Sequence, residues 1–261
     1  METAALCIEN SINRPNKLNT TIIYEPRGRA REYSELAANL YRGCDHGCVY
    51  CYAPAAIRMD RTSFYHASVR DGILTKLEKD AQYLEQIGEK RSILLCFTTD
   101  PYHQLDMREK ITRRAIQILH NHGLKIAILT KGGARSQRDF DLLRSKPGLS
   151  EYGITLVFSD DQMREKYEPF AANTEERIQT LEKAHDLGIF TYVSLEPVWE
   201  PEQTFELIER TQDFADFYKV GKLNHNLRQN QINWAQFKSN VIYKLERLNK
   251  NYYIKNDLKK F

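Results

Sequence analysis

Apolar residues along this chain fall into two alternating periods. Between positions 69 and 87 they recur at Ile73, Leu77, Ala81 and Leu84, one face of a 3.6-residue helix. A continuous run follows, Ile93-Leu94-Leu95-Cys96-Phe97, closed by Thr98-Thr99-Asp100-Pro101. Its length and flanks predict a buried strand. The alternation then repeats. A helix is predicted over 111–121 with Gly123 at its end, a strand over 125–130, and a short helix over 137–144. A strand over 154–159 precedes a helix over 174–187 that Gly188 ends. Thr174 is the predicted N-cap of that helix, with Arg177 where a capping box would carry Glu. A strand over 189–195, a helix over 204–212, a strand over 217–220, a helix over 234–248 and a last strand over 252–254 complete the series. An earlier strand is expected over 36–40, after a stretch punctuated by Pro15, Pro26 and Gly28.

Strands that alternate with helices of 10 to 15 residues imply right-handed crossovers and a parallel sheet. About six such units predict an α/β fold, a partial TIM-type (β/α)6 parallel barrel. The expected organisation is an extended N-terminal segment over 1–35, a barrel core over 36–224, and a basic C-terminal extension of helix and strand over 225–261 packed on the barrel. Thr99-Asp100, Thr130-Lys131, Ser159-Asp160 and Glu196 each follow an apolar run directly. In a parallel barrel such residues converge at the C-terminal mouth, where active sites sit. Any strand must also end in something polar, so the convergence matters more than any one residue.

Composition narrows the class only a little. Of 261 residues, 41% are hydrophobic and 28% charged, and the formal charge is +3, which gives no support to a globally basic coat. No apolar run approaches the roughly 18 residues of a membrane helix. Residues 1–10 carry Glu2 and Glu9, lack a basic stretch followed by an apolar core, and do not read as a signal peptide. The expected location is the cytoplasm, with no membrane partner. Five cysteines are present, Cys7, Cys44, Cys48, Cys51 and Cys96, an odd number with three crowded into eight residues. In a reducing compartment, clustered thiols are more often metal ligands than disulfide partners.

The crowded segment runs Tyr41-Arg42-Gly43-Cys44-Asp45-His46-Gly47-Cys48-Val49-Tyr50-Cys51-Tyr52-Ala53, with cysteine spacing C-x3-C-x2-C. Iron–sulfur clusters normally take four cysteines. Three thiolates on one loop hold three irons of a cubane and leave the fourth open to a substrate or cofactor, as open zinc sites do. Gly43 and Gly47 permit the sharp turns. Three other readings stand beside this one: a Cys3His zinc site that includes His46, a disulfide, and thiols that are simply buried. The C-x-H-x-C spacing is tighter than ordinary structural zinc spacing.

Cys44-x3-Cys48-x-Tyr50-Cys51 resembles the signature of the radical S-adenosylmethionine (radical SAM) enzymes. The wider context is similar to a narrower group, the spore photoproduct lyase-like or DNA repair photolyase-like branch. That context is Asn39-Leu40-Tyr41-Arg42-Gly43 through Cys51-Tyr52-Ala53, with Thr99-Asp100-Pro101-Tyr102, Thr130-Lys131, Ser159 and Tyr253-Ile254-Lys255. The resemblance spans about residues 25 to 258. It implies a partial barrel of six βα units and a 4Fe-4S cluster on Cys44, Cys48 and Cys51. The open iron chelates S-adenosylmethionine, and one-electron reduction yields methionine and a 5′-deoxyadenosyl radical that takes a hydrogen atom from the substrate. The electron comes from a flavodoxin- or ferredoxin-type donor. The resemblance further implies that Tyr50 lies against the adenine. Thr99, Asp100, Lys131 and Ser159 contact the methionine or ribose portion. Arg177 and Glu196 are candidate cofactor contacts, Glu196 facing either cofactor or substrate. Tyr52 resembles a tyrosine that relays the radical. Cys96 is the nearest counterpart of a hydrogen-donor cysteine, but stands four residues before Asp100 where three are expected. One residue of shift on a strand turns a side chain to the opposite face.

The charge is unevenly placed. From Lys219 to Phe261 ten basic side chains face only Glu246 and Asp257, and Trp234, Phe237, Tyr243, Tyr252 and Tyr253 lie among them. A basic surface with stacking rings suits DNA or RNA. The same aromatic residues also have helical spacing and fit a core face with a wet lysine side. Three hypotheses therefore stand: radical chemistry on a nucleic acid, as in lesion repair or modification; the same chemistry on a peptide or small metabolite; and a non-catalytic zinc or iron–sulfur binding module.

Overall fold

The computed structural model describes residues 18–261. Cys7 and the signal-peptide reading of residues 1–10 fall outside the described residues, as does the first half of the lead-in. The chain begins with β1 (Ile23–Tyr24), a 3-10 turn Gly28–Glu32 and β2 (Leu36–Ala38). The short pair β3 (Tyr41–Arg42) and β4 (Ser68–Val69) brackets the cysteine loop together with α1 (Ala53–Ala56) and α2 (Arg61–Phe64). Then come α3 (Ile73–Gln86), β5 (Ile93–Leu95), α4 (Gln104–Glu109), α5 (Ile111–Asn121) and β6 (Ile126–Thr130). A 3-10 segment Gly133–Asp139 and α6 (Phe140–Ser145) lead to β7 (Ser150–Thr155), α7 (Asp161–Tyr167), α8 (Thr174–Asp186) and β8 (Phe190–Val198). The chain ends with α9 (Pro201–Thr211), β9 (Phe217–Lys222), α10 (Trp234–Arg247), β10 (Asn251–Ile254) and α11 (Asn256–Lys259).

Eight strands form one sheet in the order β1-β2-β5-β6-β7-β8-β9-β10. Every neighbouring pair is parallel except β1–β2. Sheet order follows chain order, as right-handed crossovers in one direction require. The sheet is strongly curled. Four strand spacings separate β2 from β8, about 19 Å if the sheet were flat. Yet the Tyr33 hydroxyl, three residues ahead of β2, lies 3.0 Å from Ser194 Oγ on β8, and Lys219 Nζ on β9 donates to the Tyr33 carbonyl at 2.8 Å. This is the partial TIM-type parallel barrel that the alternation predicts. The strands bury one side chain set outward against the helices and a smaller set inward. Ala37, Leu94 and Ala127 form the inner group, with Tyr33, Phe97 and Leu129 against them.

The strand over β7 departs from the sequence reading. It was expected over 154–159 and instead spans Ser150–Thr155. Gly153 sits within it, where a Cβ would lie 2.2 Å from the Tyr192 ring of β8. The apolar stretch Leu156-Val157-Phe158 stays buried after the ladder ends. β8 runs on to Val198, so Glu196 lies inside a strand and not after one. The N-cap of α8 is Asn173, whose side chain accepts from Glu176 N; Thr174 donates its hydroxyl to Phe158 O. Arg177 is therefore one turn inside the helix. Trp234, Phe237, Val241 and Leu245 of α10 are all buried, which assigns them to the core face and not to a stacking surface. Among the described residues, no helix is long and apolar enough to cross a membrane.

A histidine ties α3 to the end of α5. His122 lies 2.8 Å from Glu78 and 2.6 Å from Glu85 through its two ring nitrogens. Hydrogen bonds donated to these carboxylates raise its pKa. A raised imidazole pKa contributes stability that is complete below the unfolded value of about 6.5 and fades as pH climbs through the folded value. His122→Ala should therefore cost about 0.5–1 kcal/mol at mildly acidic pH, as for a half-exposed pair, and much less in alkaline buffer. Urea unfolding of both proteins at the two pH values measures it; an equal cost at both would refute the charged pairing.

Candidate active site around the cysteine loop

The three cysteines hang on a loop that the fold holds from four sides. Gly43 adopts φ +85°, and a Cβ there would meet Phe64 O at 2.6 Å, so the turn into Cys44 admits only glycine. Cys44 N donates to Phe64 O at 2.8 Å, and Thr99 Oγ1 after β5 donates to Gly43 O at 2.6 Å. On the far side Val49 N donates to Tyr167 O, and Phe170 N to His46 O. The Arg61 guanidinium of α2 donates to Cys48 O at 3.1 Å and Cys51 O at 3.0 Å. Burial pushes all three thiols above their usual pKa, Cys48 to about 12. They become good ligands only when a metal displaces their protons.

Asp100 organises the mouth between the loop and two strands. Its oxygens accept from Tyr102 N at 2.8 Å, Thr130 Oγ1 at 2.6 Å and Lys131 N at 2.7 Å, and His46 Nδ1 stands 3.5 Å away. Burial alone would raise this carboxyl, but the facing His46 and the donors from Thr130 and Lys131 hold it below its usual range. A carboxylate offers about four acceptor sites, and Tyr102 N, Thr130 Oγ1 and Lys131 N fill three of them. Asp100 thus shapes the site, and its Oδ2, which faces His46 at 3.5 Å, keeps acceptor capacity.

Sequence reasoning missed Glu168. It is fully buried beneath Tyr50, accepts from the Tyr50 hydroxyl, and pairs with Arg177 Nη2 at 2.5 Å and Lys131 Nζ at 3.7 Å. Arg177 is itself buried, donating also to Ala172 O at 2.8 Å and Thr155 O at 3.0 Å. Burial pushes the Glu168 carboxyl up, and the cations Arg177 and Lys131 pull it further down. The Lys131 ammonium also lies 5.4 Å over the Tyr50 ring. Nothing in Tyr167-Glu168-Pro169 marks this role in the sequence, because partners come from β6, α8 and the cysteine loop.

The remaining expected residues are placed unequally. Tyr52 is half exposed beside the loop, its hydroxyl donating to Phe97 O at 3.2 Å. Cys96 is buried in the same cluster as Leu40, Tyr41 and Tyr102, and its burial raises the thiol to about 12. Ser159 is held by α9, through Gln203 and Glu206. Glu196 accepts from Tyr33 and from Lys255 Nζ at 2.7 Å, with Lys255 4.2 Å over the Tyr33 ring. Tyr33, on the lead-in, is a second residue the sequence did not reveal; it crosses the lumen to reach β8.

An iron–sulfur cluster fits these residues better than a single ion. His46 turns Nδ1 toward Asp100, and its buried Nε2 has no hydrogen-bond partner among the described residues. Among the described residues, no three His, Cys, Asp or Glu side chains converge as a lone metal ion requires. A cubane binds its thiolates at separate corners, so three thiols on one loop suffice for it without meeting at a point.

A parallel barrel with three such thiols at its C-terminal mouth defines a barrel enzyme built around an iron–sulfur cluster. The model of the Radical SAM superfamily matches residues 38–215. The chain belongs to the radical SAM superfamily, whose enzymes use a 4Fe-4S cluster and S-adenosylmethionine. It is 26% identical over 201 residues to the uncharacterized protein MJ0683 of Methanocaldococcus jannaschii, covering 74% of each chain. It is 25% identical over 167 residues to the uncharacterized protein Rv2578c of Mycobacterium tuberculosis, spanning 61% of this chain and 48% of that one. Spore photoproduct lyase with bound AdoMet and dinucleoside spore photoproduct shares the fold, with TM-score 0.69, 13% identity, and coverage of 88% of this chain and 78% of that one. Streptococcus suis SuiB bound to S-adenosylmethionine matches with TM-score 0.63 and 13% identity, over 84% of this chain and 49% of that one.

Removing the Glu168 carboxylate should be costly. Glu168→Ala leaves Arg177 buried without its partner, and a broken buried pair costs about 3–5 kcal/mol. Denaturant unfolding reads the loss. A change below about 1 kcal/mol, the worth of a surface pair, would show that the network is solvated.

Proposed function

We propose that this radical SAM enzyme acts on a nucleic acid or nucleotide-bearing substrate, in lyase-like repair or modification. When bound, the cluster supplies the electron that splits S-adenosylmethionine into methionine and a hydrogen-abstracting 5′-deoxyadenosyl radical. The chain binds, orients and excludes water. Cys44, Cys48 and Cys51 hold the irons. Tyr50, fixed by Glu168, offers a flat ring for the adenine, and Lys131 beside it offers an ammonium for the methionine carboxylate. Thr99, Asp100 and Arg177 act through the positions of the loop, Lys131 and Glu168. Ser159 sits farther out, oriented by α9. Tyr52, half exposed at the mouth, is the residue positioned to pass a radical, and Cys96 serves in packing.

One observation carries the substrate class. Inside the barrel Lys219 and Lys255 stand 5.6 Å and 4.2 Å from the Tyr33 ring centroid. Burial, together with the charge of Lys255 and against that of Glu151, lowers Lys219 to about 8. Lys255 is already matched by Glu196, so Lys219, beside the Tyr33 and Tyr192 rings, is the cation that a guest both anionic and planar would meet. The basic C-terminal surface adds less than its count implies. Lys244 pairs with Glu209, while Lys250 donates to Ala215 O and Lys238 to Lys259 O. The lyase, which binds a dinucleoside photoproduct, is matched over most of its length.

Anaerobically reconstituted enzyme with a reductant should release 5′-deoxyadenosine, and mass spectrometry should find deuterium in it from a sugar- or base-labelled oligonucleotide. Label arriving only from a peptide would replace the substrate class while leaving the chemistry intact. Cys48→Ala should lose iron, colour and cleavage together; full cleavage in that variant would overturn the ligand assignment.

A further inference from the structure

All three ligand cysteines are tied to one short helix. α2 has four residues, Arg61–Phe64, and Asp60 caps it by accepting from Ser63 N at 2.9 Å. At its C-terminal end the Phe64 carbonyl accepts from Cys44 N at 2.8 Å, and Gly43 packs against that same oxygen. At its N-terminal end the Arg61 guanidinium spans the other two cysteines. Nη1 donates to Cys48 O at 3.1 Å and Nη2 to Cys51 O at 3.0 Å. Cys51 N also donates to Cys48 O at 3.1 Å, so the fork closes on a turn with a thiol at each end. A planar guanidinium suits two carbonyls held at a fixed spacing.

Arg61 is exposed, so burial of its side chain does not account for this contact. Its charge faces the Cys51 thiol. The other charges around the thiols are negative or already matched. Asp100 faces Cys44, and Glu168 faces Cys48. Lys131 faces Cys48 and Cys51 but lies 3.7 Å from Glu168. Among the described residues no carboxylate pairs with Arg61; the neighbouring Asp60 is turned to Ser63 N. Arg61 thus brings unbalanced positive charge to the loop.

We propose that Arg61 is a positioning residue that holds the loop in its ligating shape and raises the reduction potential of the cluster bound there. One electron entering the cluster adds one negative charge, and no bond is made or broken. A fixed cation nearby favours the reduced form over the oxidised one. Groups that hydrogen-bond to the ligand residues orient them and tune the metal centre in the same way. The role rests on Cys44, Cys48 and Cys51 as ligands and is independent of the substrate.

Two substitutions separate the charge from the fork. Arg61→Gln removes both; Arg61→Lys keeps the charge and loses the paired donors. Each reconstituted enzyme, without S-adenosylmethionine, is titrated with dithionite, and the reduced cluster is followed by electron paramagnetic resonance. Arg61→Gln should make the cluster about three- to tenfold harder to reduce, tenfold being about 59 mV for one electron. Arg61→Lys should titrate with the parent. Both variants should release iron to a chelator faster than the parent does, because both lose the fork. Equal potentials in Arg61→Gln and the parent, or an equal shift in Arg61→Lys and Arg61→Gln, would overturn the electrostatic role. So would an Arg61→Gln enzyme that takes up no iron, since Arg61 would then serve assembly alone. Parent-like iron release in both variants would overturn the positioning role. A failure of the ligand assignment is distinct, because the parent itself would then hold no iron.

Discussion

A carboxylate without solvent beneath the cysteine loop sets the geometry of everything around it. Glu168 is buried completely, and such a group is tolerated only with opposing charge and filled hydrogen bonds. Arg177 and Lys131 supply the charge, and Tyr50 supplies a hydroxyl. Because those partners come from α8, from the end of β6 and from the loop itself, satisfying one charge fixes three elements relative to each other. Arg177, a candidate cofactor contact by the resemblance, is buried with its guanidinium bonded to Ala172 O, Thr155 O and Glu168. Lys131 does two things: it balances Glu168 and lies over the ring of Tyr50.

The opposite wall follows similar logic with a different outcome. Asp100 gathers the ends of β5 and β6 and faces His46, so most of its acceptor capacity is spent within the protein. Across the lumen, Glu196 is shared between Tyr33 and Lys255. One wall is thus rigid and self-contained, while the other presents ammonium groups and an aromatic face. Hydrogen-bonded carboxylates line the side beside the thiols, and Tyr33 with Lys219 and Lys255 lines the opposite side.

How much of this was legible differs by residue. The alternation of periods predicted the barrel because parallel strands buried on both faces read as short apolar runs between amphipathic helices. The cysteine spacing and the two glycines marked the loop, since local backbone demands are written in consecutive residues. Boundaries failed where a distant side chain decided them. The strand expected over 154–159 begins instead at Ser150 and includes Gly153, whose missing side chain leaves the space that the Tyr192 ring fills. The lysines of the C-terminal segment looked like a surface coat, yet Lys255 is 5% exposed and paired with Glu196.

The amino-acid order by itself determined the βα repeat, the position of the three thiols and the class of chemistry they perform, because each depends on spacing within a few turns of chain. Only the folded chain decided which charges meet. Glu168 with Arg177, Asp100 with His46, and Glu196 with Lys255 are separated by as few as nine and as many as 59 residues. Curling the sheet brings them together where water is excluded, and there an unmatched charge is too costly to leave alone.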